Sequence, residues 1–284
     1  MSAPFVLSVQ SQVLWGHVGN SAAAFALQRL GFEVLAAPTV LLAHHPGHGR
    51  PAGFVLPAAE LGALLDGLGP PLLPRPVAGL ISGYLGTVEN GEAMLAAWQR
   101  LKTANPRARF LCDPVIGERE GGVYVRPGLV EFFRDRALPA AEIICPNHFE
   151  LEQLAGELIG TLEAAIDACR RLCRGGPRIT VCTSLLVAET PAGEIDTLAV
   201  SETGAWVVRT PRLERPPHGS GDLFAALLFG HLLQGVSLPA ALARAVAATF
   251  AVLKESDGEA EMRLVEMQAI LGRPPAAFAA RRLA

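Results

Sequence analysis

At 284 residues the chain can hold one α/β domain or two small ones. A formal net charge of −3 gives no electrostatic case for nucleic acid or an anionic membrane as partner. Half the residues are hydrophobic, which suits a large buried core, yet no unbroken apolar run reaches the ~18 residues that a spanning helix needs.

The start, Met1-Ser2-Ala3-Pro4, has no basic region ahead of Phe5-Val6-Leu7 and is expected to lead into a strand, not to act as a signal peptide. Residues 4–9 are predicted as that strand, 10–19 as a polar loop and 20–31 as an Ala-rich helix. A second strand covers 32–40, and 41–51 form a loop or flap with three histidines, His44, His45 and His48. A helix at 57–68, a strand at 77–82 and a helix at 91–103 come next. A strand at 109–112 runs into Asp113-Pro114, and a polar Gly-rich loop occupies 117–122. Then follow a helix at 127–136, a strand at 142–145, helices at 147–155 and 162–173, and strands at 179–183 and 185–189. Hairpin material at 197–209, two long helices and a helix near 262–271 complete the chain. Strands alternating with helices predict a mostly parallel sheet covered on both faces. No internal repeat or low-complexity linker interrupts the pattern, so residues 1–284 are expected to form a single domain. The five cysteines (Cys112, Cys145, Cys169, Cys173 and Cys182) lack zinc-ribbon spacing and are expected as free thiols in a reducing cytoplasm.

The stretch Pro216-Pro217-His218-Gly219-Ser220-Gly221-Asp222 feeds directly into the apolar run Leu223-Phe224-Ala225-Ala226-Leu227-Leu228-Phe229. Two glycines one residue apart let the backbone turn tightly and approach a bound group. The free N–H groups at the helix start then favour an anion. With a phosphoryl group held there, Asp222 is placed to take a proton from an attacking hydroxyl. Plain N-capping by Asp222 is the competing reading.

Other strands end in polar oxygen groups at the edge where open α/β sheets bind ligands. Asp113 ends one strand and Glu118 follows beside Gly117, a pair suited to Mg²⁺ and phosphate, although Asp-Pro is also ordinary turn chemistry. Asn147 and Glu150 have the spacing of a capping box, and they also lie where metal-bound water would sit. Thr183 and Ser184 offer hydroxyls to a phosphate or close a turn. Together these describe a site for moving a phosphoryl group. No GxxxxGK[ST] occurs, so a Walker-type loop is excluded, and no GxGxxG follows the first strand.

These residues resemble the ribokinase-like superfamily and, within it, the pyridoxal kinases. The most specific stretch is Ser8-Val9-Gln10-Ser11 through Gly16-His17-Val18-Gly19-Asn20-Ser21. Ser82-Gly83-Tyr84-Leu85-Gly86, Cys112-Asp113-Pro114-Val115-Ile116-Gly117, Pro146-Asn147-His148-Phe149-Glu150 and Gly219-Ser220-Gly221-Asp222 follow in the family's order. The resemblance implies a three-layer α/β/α sandwich with a mostly parallel central sheet, and ATP-dependent phosphorylation of pyridoxal, with pyridoxine and pyridoxamine as co-substrates. It implies Asp222 as base and the amides of Gly219, Ser220, Gly221 and Asp222 as an anion hole. Ser11, Val18, His48 and Tyr84 would line the substrate ring. Asp113, Glu118, Tyr124, Asn147, Glu150, Thr183, Ser184 and Ser220 would meet ATP, with Asp113, Glu118 and Glu150 holding the metal. It further implies Mg²⁺, often with K⁺, and a homodimer.

The flap departs from the family's Asn-His-Thr, then Gly or Gln, then Tyr. Here it reads His44-His45-Pro46-Gly47-His48, which bears on vitamer preference more than on the reaction. Two other readings stand beside the kinase: a hydroxymethylpyrimidine kinase, and a non-catalytic vitamer-binding protein on the same fold. A pyridoxal phosphate-dependent enzyme is excluded, because neither Lys102 nor Lys254 lies near a phosphate cradle. His17 is expected to bond backbone, Trp15 to pack against the flap, and His218 either to steer phosphate or to face solvent.

Overall fold

The computed structural model describes residues 3–68 and 76–283; Met1 and Ser2, part of the stretch read as leading into the first strand, lie outside the described residues. One ten-stranded sheet runs in the order β12-β11-β10-β9-β8-β5-β4-β1-β2-β3. Its centre is β1 (Phe5–Val13), β2 (Glu33–Leu42), β4 (Val77–Ser82), β5 (Arg109–Cys112), β8 (Ile143–Ile144) and β9 (Ile179–Leu185). Every pairing among these is parallel. The antiparallel additions are β3 (Gly53–Val55) beside β2 at one edge, and β10 (Glu194–Ser201), β11 (Gly204–Pro211) and β12 (Arg281–Arg282) at the other.

Successive strand residues enter opposite layers, as the period of two requires. Val6, Ile81, Leu111, Ile143 and Val181 face α1 (Asn20–Arg29), α8 (Ser220–Leu233) and α9 (Leu238–Glu255). Their neighbours Leu7, Leu80, Phe110 and Ile144 face α2 (Ala58–Asp66) and α3 (Val88–Ala104). Cys182 faces α6 (His148–Ala155) and α7 (Leu162–Arg174). The result is helix, sheet, helix, the three layers implied by the resemblance. Within α8 every residue from Leu223 to Leu232 is buried, His231 among them, as a helix apolar on nearly every face must be. Among the described residues no helix is long and apolar enough to cross a membrane.

Several expected boundaries moved. β1 continues to Val13, because Gln10, Gln12 and Val13 keep pairing with β2, so Ser11 lies on a strand and not in a loop. The strands expected at 179–183 and 185–189 are one strand that stops at Leu185. The helix expected at 127–136 is split into α4 (Leu129–Phe132), a π-helical turn at Phe133–Ala137 and α5 (Leu138–Ala140), where Pro139 removes a donor. Residues 117–122 are not all loop: β6 (Gly117–Glu118) and β7 (Gly122–Val123) make a short ribbon. The helix expected near 262–271 is only α10 (Gln268–Gly272).

Candidate active site

The C-terminal ends of the parallel strands converge with the start of α8. Gly219 caps that helix in the left-handed region at φ 92, where a Cβ would also run into the His17 carbonyl. No side chain caps the helix, so the N-cap reading of Asp222 fails: it is the third helical residue. The Asp222 carboxylate instead lies near the backbone N–H of Gly19. Burial pushes its pKa up to about 6 against the opposing pull of that amide. The first intrahelical bond runs from Leu223 N to Gly219 O at 3.0 Å. The amides of Ser220, Gly221 and Asp222 precede it and have no acceptor in the helix.

Asp113 follows β5, with its N–H donating to Ser82 O at 3.0 Å. Its Oδ2 lies 4.0 Å from where a Gly221 Cβ would stand, so the carboxyl overhangs the start of α8. The residue is only 8 % exposed. Desolvation, then the charges of Glu150 and Asp222, hold its pKa well above the usual carboxylate range.

Asn147 caps α6 and forms a full capping box with Glu150. Glu150 N donates to Asn147 Oδ1 at 2.9 Å and Asn147 N to Glu150 Oε2 at 2.8 Å. The other oxygen, Oε1, accepts Ile116 N at 2.9 Å and Gly117 N at 3.4 Å, while Asn147 Nδ2 donates to Gly117 O at 2.8 Å. Burial raises Glu150 to about 7 despite these amides. Both its oxygens are committed to backbone, and Glu118 is exposed on β6. The expected metal set of Asp113, Glu118 and Glu150 is therefore not assembled. Among the described residues no three His, Cys, Asp or Glu side chains are placed to hold a metal.

Thr183 bridges to Asn147, its N–H donating to Pro146 O at 2.9 Å. Ser184 is the non-glycine residue with positive φ, at 53°, among the described residues. It lies where the β9–β10 register shifts, an irregularity that presents its exposed side chain beyond the sheet. Tyr124 is 51% exposed after β7, and desolvation, then the charges of Glu150, Asp113, Glu118 and Asp222, raise its phenol.

On the substrate side, Ser11 is half-buried on β1, Tyr84 packs partly against the core past β4, and Val18 is 6 % exposed. His48 ends a 3₁₀ turn at Pro46–His48, and its ring lies 4.9 Å from that of Trp15, the flap packing expected for this tryptophan. His17 does not bond backbone through its ring: its Nδ1 is buried without a partner, and its N–H donates to Glu261 Oε2 at 2.8 Å. His218 stacks on His45 at 4.1 Å between centroids. Sequence reasoning missed Gly19 as a neighbour of Asp222, and it missed Glu261 altogether. The glycine lies inside the most specific motif, whereas nothing around Glu261 marks it.

The family model described as Phosphomethylpyrimidine kinase matches residues 82–261. "Pyridoxal kinase PdxY" of Rubrobacter xylanophilus is 44% identical over 98% of this chain and 97% of its own. The protein of that name from Deinococcus radiodurans is 42% identical, covering 98% and 96%. The crystal structure of pyridoxal kinase from Leishmania donovani in complex with ADP and pyridoxamine is 28% identical, superposes with a TM-score of 0.91 and covers 99% of both chains.

Proposed function

This chain belongs to the pyridoxal kinases, within the phosphomethylpyrimidine kinase family, and on that footing we propose that Asp222 is the base that activates the vitamer hydroxyl for transfer of the ATP γ-phosphoryl group. The protein is an ATP-dependent kinase of B6 vitamers. The observation that carries the assignment of the base is its place in the first turn of α8, a buried carboxylate with its pKa raised to about 6 beside helix-start amides that have no acceptor in the helix.

In this reading Asp222 takes the proton from the 5′-hydroxymethyl group, and the amides of Ser220 and Gly221 receive the charge gathering on the transferred oxygens. Ser11, Val18 and Tyr84 orient the ring, while Thr183, Ser184 and Tyr124 meet the nucleotide. Asn147 and Glu150 act at one remove, by fixing the Ile116-Gly117 backbone under the phosphates. Asp113 fits a cation: the charges of Glu150 and Asp222 help raise its pKa, and a hard oxygen donor suits Mg²⁺. Asp113 would hold it, leaving other positions to phosphates and water; bound there, Mg²⁺ would neutralise charge on the phosphates. K⁺ as monovalent ion and a cytoplasmic homodimer belong to the same proposal.

A pyridoxal substrate is favoured over hydroxymethylpyrimidine because the 44% and 42% identical pyridoxal kinases match across 98% of the chain. The family model leaves out the segment before residue 82, which carries Ser11, Val18 and the flap. The test is ADP release from Mg²⁺-ATP with pyridoxal, pyridoxine, pyridoxamine and hydroxymethylpyrimidine in separate reactions. Turnover of pyridoxal is expected; turnover confined to hydroxymethylpyrimidine would reassign the substrate.

A further inference from the structure

Glu261 lies in the turn between α9 and α10, far in sequence from every motif, yet both its oxygens are used by the substrate side. Oε2 accepts the His17 backbone N–H at 2.8 Å, and Oε1 lies 2.7 Å from His48 Nε2. A carboxylate only accepts, so the His48 proton sits on Nε2. The Glu261 side chain is 14% exposed and packs so closely on Gly16 that a Cβ there would come within 2.5 Å of Oε1.

The turn that carries it is stitched in place. Ser256 Oγ donates to Val252 O at 2.7 Å and accepts Arg263 N at 2.9 Å. Gly258 N donates to Arg215 O at 3.0 Å, which ties the same turn to the entrance of α8. A fixed carboxylate thus joins two segments that otherwise meet through the Trp15–His48 ring contact and the bond from Trp15 N to Ala43 O, the 14–19 loop that borders Asp222 and the 44–50 flap. Loop spacing set by a rigid third element is what a substrate mouth needs, since small misplacements of positioning groups are costly.

We propose that Glu261 is a positioning residue that clamps the flap to the 14–19 loop and so sets vitamer affinity. The kinetic part of this proposal rests on the kinase reading above; the clamp itself does not. The full chain would be compared with Glu261→Gln, Glu261→Ala, His48→Gln and the double variant Glu261→Ala/His48→Gln. Two measurements are made: KM for pyridoxal and for ATP, and hydrogen exchange of peptides covering 14–19 and 44–50 without ligands.

Glu261→Ala is expected to raise the pyridoxal KM about tenfold with the ATP KM within about twofold, and to speed exchange in both segments. His48→Gln should loosen the flap peptide alone. The double variant should add little to the pyridoxal KM beyond Glu261→Ala, because the two residues share one contact. Should Glu261→Ala fail to fold, Glu261→Gln, which keeps the shape and one acceptor, carries the same comparison at smaller amplitude. Unchanged pyridoxal KM, a parallel rise in both KM values, or faster exchange in only one segment of a Glu261 variant would overturn the clamp. If wild type turns over no vitamer, the kinase reading fails, while exchange still decides the clamp.

Discussion

The Asp222 carboxylate lies near the backbone N–H of Gly19, which favours its charged form. This proximity brings the phosphate end of the site, at the start of α8, up to the loop before α1. Replacing Asp222 by Asn keeps the size and an acceptor but removes the base. We expect kcat to fall roughly a hundredfold or more, the size of a general-base effect. Steady-state kinetics check this, and activity within about tenfold of wild type would remove Asp222 from that role.

The same carboxylate makes free-protein stability depend on pH. Its folded pKa of about 6 lies above the ordinary 3.8, so the unfolded chain ionises first as pH rises. The group costs nothing below about pH 4, costs progressively more up to about pH 6, and carries its full cost above that. Asp222→Asn should therefore be more stable than wild type at about pH 8, by up to about 2–3 kcal/mol, and equal to it near pH 4. Urea unfolding without nucleotide or metal reads the difference; a gap that ignores pH would mean that ionisation is not its cause.

Glu150 serves three backbone amides, those of Ile116, Gly117 and Asn147. Glu150→Ala should lose about 2 kcal/mol, from the capping box and from buried donors left without acceptors. The ATP KM should rise with it as the 116–123 ribbon loosens, while Glu150→Gln recovers part of both. Thermal unfolding and nucleotide KM are the measurements, and a loss under about 0.5 kcal/mol would show that water replaces the brace.

His45 is held neutral, its pKa lowered to about 4 by burial and then by the neighbouring His218. The unfolded chain protonates near the ordinary 6.5, so wild-type stability drains as pH falls from about 6.5 to about 4. His45→Gln should make that acid limb shallower, by up to about 1.4 kcal/mol per pH unit. An unchanged slope would exclude His45 as its source.

Asp113 is the carboxylate offered to Mg²⁺. Asp113→Asn should raise the Mg²⁺ needed for half-maximal turnover by about tenfold, an effect of roughly 1.4 kcal/mol. Chelating the metal should stop wild-type turnover. Titration of Mg²⁺ at fixed ATP decides, and an unshifted midpoint would place the metal elsewhere.

The sheet was legible because its signals are local. Short apolar runs stop at Asp113-Pro114 or Pro146-Asn147, and turns there bring polar side chains to one edge. Glu150 was legible as a capping residue for the same reason, although its second task, holding Ile116 and Gly117, depends on a ribbon elsewhere in the fold. The strand split expected after 183 was misplaced because nothing in the neighbours of Ser184 announces a positive φ, and the single strand ends at Leu185 just past that kink. Residues 262–271 show a helical pattern, but Met262 and Leu264 are buried in the core along an irregular path, and only the end of the stretch is helical. Glu261 was invisible because its partners, His17 and His48, are brought to it only by the finished fold.

The pairing of β12 with β11 has a consequence for solubility. Among the described residues Arg281 and Arg282 pair with that margin, opposite Val207 and Trp206, and Leu283 N donates to Ala205 O beside them. Both arginines are exposed, so the outermost strand meets any second sheet with positive charge instead of a flat apolar ladder. Trimming these residues is expected to bare β11 as a template for self-association, so damage there should appear as precipitation before it appears as lost catalysis.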